Sequence, residues 1–129
     1  MDLQKKAHIL LVDDEAPLTK LMKTYLAKIG YTVETALRAD EAMALFDQNP
    51  DNFDLLVADL TLPDQPGQDM ALQMIERSSR MRVLLCSGYP FAVESLPAAV
   101  QGRFSSLQKP FLPNMLASAI EDLECFVVG

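Results

Sequence analysis

The sequence predicts an α/β fold in which helices cover both faces of a five-stranded parallel sheet. Three short apolar runs, at 8–13, 53–59 and 82–88, show little polar alternation, as is typical of strands buried on both faces. Segments of helical period separate the strands, and this alternation indicates right-handed crossovers. Because the three most apolar strands should be central, we predict the strand order 2-1-3-4-5.

The first strand, at 8–13, is followed by an amphipathic helix. Its apolar residues recur at steps of three and four, at Leu18, Leu21, Met22, Tyr25, Leu26 and Ile29. Pro17 suits the first helical turn, where no amide proton is needed, and Gly30 suits the position after the helix. The next run, "YTVETA" at 31–36, mixes polar and apolar residues and therefore predicts a strand at the margin of the sheet.

The second helix is predicted over 40–47 and the third over 68–77, on either side of the apolar strand at 53–59. Their expected core residues are Ala42, Leu45 and Phe46, and then Ala71, Met74 and Ile75. The segment 91–101, after the fourth strand, has helical composition. Pro97 would cost ~3 kcal/mol inside a helix, because it lacks the amide proton and clashes with the preceding turn. We therefore expect a short or broken helix there.

The last two elements are a marginal strand at 104–109 and a helix that opens at Pro113. This helix carries Leu116, Ala119, Ile120 and Leu123 on one face. A chain of 129 residues, half of them hydrophobic, is long enough to bury the core of one domain. We expect a single domain over residues 1–129.

Charge and composition exclude several classes of protein. The formal charge of −7 and the absence of a basic stripe argue against binding the phosphate backbone of nucleic acid. The sequence contains no apolar run near the ~20 residues of a membrane span and no signal peptide, so we expect a cytoplasmic protein with no membrane role. Cys86 and Cys125 lie in apolar surroundings and are expected to be buried thiols, neither bridged nor bound to metal.

Polar side chains stand where the predicted strands end. Asp13 and Asp14 follow the first strand, Asp59 ends the third, Ser87 lies at the end of the fourth, and Lys109 closes the fifth. The carboxyl ends of parallel strands share one edge, where such sheets place their functional crevice. At ~4 Å and an effective dielectric constant of ~20, two carboxylates repel by about 4 kcal/mol. A positive group must therefore bind among these acids.

Oxygen-only donors of this kind suit a hard divalent cation. Mg²⁺ accepts a few carboxylates, with waters and a substrate phosphate completing its octahedron, whereas Ca²⁺ would favour a carbonyl-rich loop that the sequence lacks. With Lys109 and the hydroxyl of Ser87 nearby, an incoming phosphoryl group would meet positive charge and a donor. Asp59 ends the middle strand, within reach of the others, and is the candidate nucleophile that would carry the group as an acyl phosphate.

Four stretches in this order, "ILLVDDE", "LLVADLTLPDQPG", "LLCSG" and "LQKPF", resemble the response-regulator receiver family over nearly the whole chain. The spacings between Asp59, Ser87 and Lys109 fit that family as well. The resemblance implies a flavodoxin-like (βα)5 three-layer sandwich with the strand order given above. It also implies that Pro110 is a cis proline.

The resemblance also implies a role for each residue of the edge. Asp59 would take a phosphoryl group from a phosphohistidine, carried by a histidine kinase or a histidine phosphotransfer domain, and Ser87 and Lys109 would contact the phosphoryl oxygens. Asp14 and Asp59 would bind Mg²⁺ directly, Asp13 through water, and the Thr61 carbonyl would be a further ligand. The chain would then be a signalling switch in a phosphorelay, not a metabolic enzyme, with an output domain or target protein as its other partner.

Three positions depart from the family pattern. Ser106 stands where the family has an aromatic ring that turns inward on activation, and Phe104 lies on the same side of that strand. Tyr89 is bulky for its position and could hinder the water that hydrolyses the acyl phosphate, which would give a longer-lived phosphorylated form. Pro97 interrupts the segment with which family members often bind partners.

Other readings remain open at this point. Asp13 and Asp14 could merely cap the first helix, and His8 reads as structural or exposed on the opposite edge. A haloacid-dehalogenase-type phosphatase uses similar groups, but it places its nucleophile on the first strand with an acid two residues later, where this chain has Thr61. A phosphate-independent interaction module is a further alternative. Flavin binding is disfavoured because "DDEAP" would repel a phosphate.

Overall fold

Five parallel strands alternate with four α-helices in the computed structural model, which describes residues 6–125. The strands are β1 His8–Val12, β2 Thr32–Ala36, β3 Leu55–Asp59, β4 Arg82–Ser87 and β5 Phe104–Gln108. The helices are α1 Ala16–Lys28, α2 Ala39–Gln48, α3 Gly67–Arg77 and α4 Pro113–Cys125. The sheet order β2-β1-β3-β4-β5 confirms the predicted topology.

Two apolar layers hold the helices against the sheet. On one face, α2 and α3 bury Phe46, Met70 and Met74 against the strands. On the other face, α1 and α4 bury Leu26 and Ile120. Alternate residues of each strand point to the two layers, so β1, β3 and β4 are apolar almost throughout, as the sequence predicted. The prediction for α1 was wrong at Leu21, whose side chain is exposed.

The connection from β4 to β5 contains no α-helix within the described residues. It forms two single turns of 3-10 helix, Val93–Ser95 and Gln101–Arg103, on either side of Pro97. This result confirms the predicted broken helix. It also corrects the number of α-helices, because a (βα)5 repeat implies five and the described residues contain four. Arg103 secures the segment, because its guanidinium donates to the carbonyls of Ile75, Ser78 and Met81.

The strand register brings the polar strand ends level with one another. Val12 pairs with Ala58, so Asp13 is level with Asp59. Asp59 pairs with Cys86, which pairs with Leu107. Ser87 therefore lies one residue beyond the level of Asp59, and Lys109 lies two residues beyond it. The carboxyl-terminal edge of the three central strands and β5 therefore carries the candidate site.

Candidate functional site

Lys109 is the centre of the site. Its ammonium lies 2.9 Å from Asp13 Oδ2 and 3.0 Å from Asp59 Oδ2, and Glu15 Oε1 is 3.4 Å away. The Lys109 side chain is 17% exposed, against 4% for Asp13 and 11% for Asp59. The lysine thus joins the ends of β1 and β3 in surroundings that screen charge poorly.

The pKa of Lys109 and the pKa of Asp13 are both raised, and only the shift of Lys109 is the one that a strong ion pair produces. Burial acts to lower the pKa of Lys109, but its hydrogen bonds to Asp13 and Asp59 outweigh burial and raise that pKa. The pKa of Asp13 is nevertheless also raised, because burial of the carboxylate outweighs its hydrogen bonds to Lys109 and to the Glu15 amide. Lys109 is therefore protonated, and its single positive charge does not fully compensate the burial of the Asp13 carboxylate.

A third carboxylate completes an acidic cluster. Oxygens of Asp13, Asp14 and Asp59 lie within 4.8 Å of one another. Three negative charges and the one ammonium of Lys109 leave a net charge of −2, which a divalent cation would balance. Ligand oxygens around Mg²⁺ stand roughly 3 to 4 Å apart, so small side-chain rotations would bring these donors into range. The residues present therefore fit a hard divalent cation.

The loop after β3 is built around Asp59. The Thr61 amide donates to Asp59 Oδ1 over 3.0 Å, while Oδ2 receives the lysine. Each carboxylate oxygen retains a lone pair for a metal or a phosphorus atom. Gly67 allows the chain to pass close by, since a Cβ there would lie 2.0 Å from the Asp59 carbonyl oxygen.

Ser87 is buried, and its hydroxyl is engaged within its own loop. It donates to the Tyr89 carbonyl over 2.7 Å and accepts the Tyr89 amide over 3.0 Å. Beside it lies a cavity of about 250 Å³, lined by Ser87, Tyr89, Pro90, Phe91, Ser106, Leu107 and Gln108. The Ser106 hydroxyl donates to the Phe91 carbonyl. Tyr89, which lines the cavity, is itself exposed.

Several sequence predictions can be compared with this geometry. The Lys109–Pro110 bond is cis, as the resemblance implied. The N-cap residue of α1 is Glu15, which makes no side-chain cap bond of its own. Asp13 Oδ1 accepts the Glu15 amide over 2.9 Å, so Asp13 contributes to the helix start as well as to the site. The His8 ring packs against Phe53 at the opposite edge, with the ring centroids 4.7 Å apart and the planes tilted by 48°.

The sequence did not reveal two acidic residues of the edge. Glu15 was not among the predicted site residues, yet its carboxylate lies 3.4 Å from the Lys109 ammonium. Asp64 was overlooked, although both of its oxygens accept amides of α2. An available signal was that Ala39, which precedes the predicted helix 40–47, is a poor cap residue.

The family model described as the response regulator receiver domain matches residues 9–121. The chain belongs to this family. Among curated relatives, the transcriptional regulatory protein GlrR of Escherichia coli (strain K12) is 32% identical over 92% of this chain and 26% of its own length. The alginate biosynthesis transcriptional regulatory protein AlgB of Pseudomonas aeruginosa is 34% identical over 90% of this chain and 25% of its own length. The chain thus spans about a quarter of these relatives.

Solved receiver domains have the same architecture. The non-phosphorylated HemR receiver domain from Leptospira biflexa is 32% identical, with a TM-score of 0.80 over 92% of this chain and 94% of that one. A receiver domain protein from Clostridium thermocellum is 27% identical, with a TM-score of 0.79 over 92% and 94%.

This protein is therefore a receiver domain of the two-component response regulators, a class of phosphate-accepting signalling domains that generally bind Mg²⁺ and interact with histidine kinases. The phosphatase and the phosphate-independent module find no support. None of the helices in the described part of the chain has the length and apolar character needed to cross a bilayer. Of the two cysteines, Cys86 is a free, buried thiol, and the side chain of Cys125 lies outside the described residues.

Proposed function

We propose that Asp59 is the phosphoryl acceptor of this receiver domain and that Asp13, Asp14 and Asp59, with the Thr61 carbonyl, hold Mg²⁺. The observation that carries the proposal is that one lysine, Lys109, pairs with two of the three clustered aspartates. Lys109 binds Asp13 and Asp59 at 2.9 and 3.0 Å, and Asp14 adds a third carboxylate within 4.8 Å. One ammonium leaves two of the three carboxylate charges uncompensated. Because Asp13 and Asp59 are largely buried, this excess is costly unless a cation is bound.

The reaction follows from the groups around Asp59. A carboxylate oxygen of Asp59 forms a bond to the phosphorus of a phosphohistidine, and the bond from that phosphorus to the imidazole nitrogen breaks, with the imidazole as leaving group. Bound magnesium would supply positive charge next to the phosphoryl oxygens. Lys109 turns from the Asp59 carboxylate to the new phosphoryl group, whose oxygens accept its hydrogen bonds. Asp13 stays in contact with the lysine and keeps it oriented.

Ser87 is the donor for a further phosphoryl oxygen. A serine hydroxyl has one proton, which the Tyr89 carbonyl now accepts. Donation to the phosphoryl group requires that proton to leave Tyr89, so phosphorylation changes the bonding of residues 87–89. The charge and the new bonds bias the surface around β4 and β5 between two states. With Ser106 at the position of the family's ring, this surface responds without an aromatic switch at that position.

We propose a histidine kinase or a histidine phosphotransfer domain as the phosphoryl donor. The longer relatives carry the receiver as about a quarter of their length, so an output domain or a separate target protein is the proposed receiver of the signal. A single domain over 1–129, a cytoplasmic location and the lack of a nucleic-acid role for this domain stay predictions.

The test is incubation with a small phosphodonor and magnesium, followed by intact mass measurement. We expect the wild-type chain to gain one phosphoryl group and Asp59→Asn to gain none. The matched control is Asp54→Asn, which alters an acid at the opposite edge of the sheet and should leave labelling unchanged. Labelling of Asp59→Asn at the wild-type rate would move the acceptor to another residue.

A further inference from the structure

We propose that Asp64 is a positioning residue for the divalent-cation site, acting by tying the loop that carries Thr61 to the start of α2. The inference rests on the proposed function, because it concerns the same cation site. Asp64 would not be a ligand in this role. It would hold the two sides of the acidic cluster at a fixed separation.

Asp64 is bonded to α2 through both carboxylate oxygens. Oδ1 accepts the Ala39 amide and Oδ2 accepts the Asp40 amide, each over 2.9 Å. These are the first two residues of α2, whose N-cap residue, Arg38, forms no side-chain cap bond. The Ala39 amide, the largest contribution, holds the pKa of Asp64 below its ordinary value, so the group is charged at neutral pH. A helix start that lacks its own cap is thus served by an acid from 24 and 25 positions away.

The base of the Asp64 loop is closed independently of α2. The Gly67 amide donates to the Leu60 carbonyl over 2.8 Å, and Thr61 forms an antiparallel bridge with Pro66. Between them lies the tip of the loop, residues 62–65, in which Leu62 packs into the core and Pro63 is exposed. Within the described part of the chain, the polar contacts that join this tip to another element are those of Asp64.

On the side of β1 and β2, hydrogen bonds connect Asp13 to the same helix start. The Asp13 amide donates to the Ala36 carbonyl over 3.1 Å at the end of β2. Two residues separate Ala36 from α2, which begins at Ala39. The position of α2 is therefore coupled to the backbone of an acid in the cluster.

On the side of β3, hydrogen bonds connect the loop to the other acid. Thr61 donates to Asp59 Oδ1, Asp59 Oδ2 accepts Lys109, and Lys109 also binds Asp13. The two sides are thus joined by a continuous series of hydrogen bonds and chain connections around the site. Asp64 supplies the hydrogen bonds between α2 and the β3 loop. Opening this link would let the Thr61 carbonyl and the carboxylates spread, and outer partners of this kind typically change metal affinity by roughly 10- to 100-fold.

Three variants separate the effect of the Asp64 hydrogen bonds on magnesium affinity from the effect of its charge. Asp64→Ala removes both the charge and the bonds. Asp64→Glu keeps the charge but lengthens the side chain, so that its oxygens no longer match the two amides. Asp47→Ala is the matched control, because it removes one acid at the other end of α2, where Asp47 pairs with Arg77. Magnesium affinity is measured by isothermal titration calorimetry, with circular dichroism establishing that each variant is folded at the working temperature.

We expect Asp64→Ala and Asp64→Glu to weaken magnesium affinity about tenfold, with Asp47→Ala close to the wild type. The same affinity loss in Asp64→Ala and Asp47→Ala, with Asp64→Glu unchanged, would mean that only net charge matters and would overturn the inference. Wild-type affinity in every folded Asp64 variant would overturn it too. A wild-type chain that binds no magnesium would instead refute the proposed cation site on which the inference rests.

Discussion

The two edges of the sheet treat charge in opposite ways. At the amino-terminal edge two acids each lie next to one nitrogen-bearing side chain. Arg80 lies 2.7 Å from Asp54, and His8 Nε2 lies 2.8 Å from Glu34 in a short contact without hydrogen-bond geometry. At the carboxyl-terminal edge Asp13 and Asp59 share the ammonium of Lys109, with Glu15 3.4 Å away. Asp14 adds a further carboxylate within 4.8 Å of the two aspartates and has no basic partner among the described residues.

The difference distinguishes a structural edge from a functional one. Exposed ion pairs such as Arg80 with Asp54 contribute little to stability and leave no charge to attract a ligand. The carboxyl-terminal edge keeps an excess of two negative charges in partly buried surroundings, which works against folding until a cation binds. Proteins retain such locally unfavourable arrangements at functional sites.

The largest expected effect comes from removing the shared lysine. Lys109→Ala should lower the free energy of unfolding by about 3 kcal/mol without divalent metal, because Asp13 and Asp59 lose their common partner; partial exposure keeps the loss at the lower end of the range for buried pairs. Urea unfolding in a chelator and in magnesium measures it. Magnesium should stabilise this variant more than the wild type. Equal stabilisation would contradict the excess of negative charge at this edge.

A close backbone approach at the carboxyl-terminal edge gives the next effect. Gly67→Ala places a Cβ against the Asp59 carbonyl oxygen, a backbone atom that cannot rotate away, and should cost about 2 kcal/mol as an overpacking substitution. Gly102→Ala is the matched control, since its Cβ would meet no atom within 4 Å. Thermal unfolding of both variants provides the comparison. Equal transition temperatures would contradict the close backbone approach at Gly67.

A smaller effect concerns the lifetime of the phosphorylated form. Tyr89 is exposed and lines both the cavity beside Ser87 and the cleft along the β3 loop. We expect Tyr89→Ala to lose its phosphoryl group roughly three- to tenfold faster, up to about 1.4 kcal/mol in barrier height, because water reaches the acyl phosphate more freely. Decay is followed by intact mass, and equal decay rates in the two proteins would end this hypothesis.

The smallest effect is expected at the amino-terminal edge. Arg80→Ala removes the partner of Asp54 and the donor to the Asp51 carbonyl, both at exposed positions. The free energy of unfolding should fall by less than about 1 kcal/mol. Magnesium affinity and phosphoryl incorporation should stay at wild-type values. A clear loss of either would mean that the two edges are coupled and that their comparison misassigns the functional edge.

The sequence predicted the composition of the site because its residues lie where apolar strands end. Asp13, Asp59 and Ser87 follow directly from strand length, and the parallel topology brings them to one edge without knowledge of any side chain. The broken helix around Pro97 was equally predictable from backbone chemistry.

The remaining features depend on contacts that no local pattern encodes. The partners of Lys109 lie 96 and 50 positions away, and Asp64 caps a helix that begins 25 residues before it. The engagement of the Ser87 hydroxyl with Tyr89 depends on one side-chain rotation in a tight loop. Leu21 shows that a correct local pattern can also mislead. Its spacing predicted the helix correctly, but its side chain faces outward and not into the core.

The most direct test of the central claim is the effect of magnesium on thermal stability at constant ionic strength, in the wild type and in Asp14→Asn. Asp14 is exposed and makes no hydrogen bond or ion pair with the described residues, so its substitution should leave the fold intact. Magnesium at a hundred times its dissociation constant should stabilise the wild type by about 2.7 kcal/mol and the variant by clearly less. Equal effects of magnesium and sodium on the wild type would contradict a divalent-cation site at this edge.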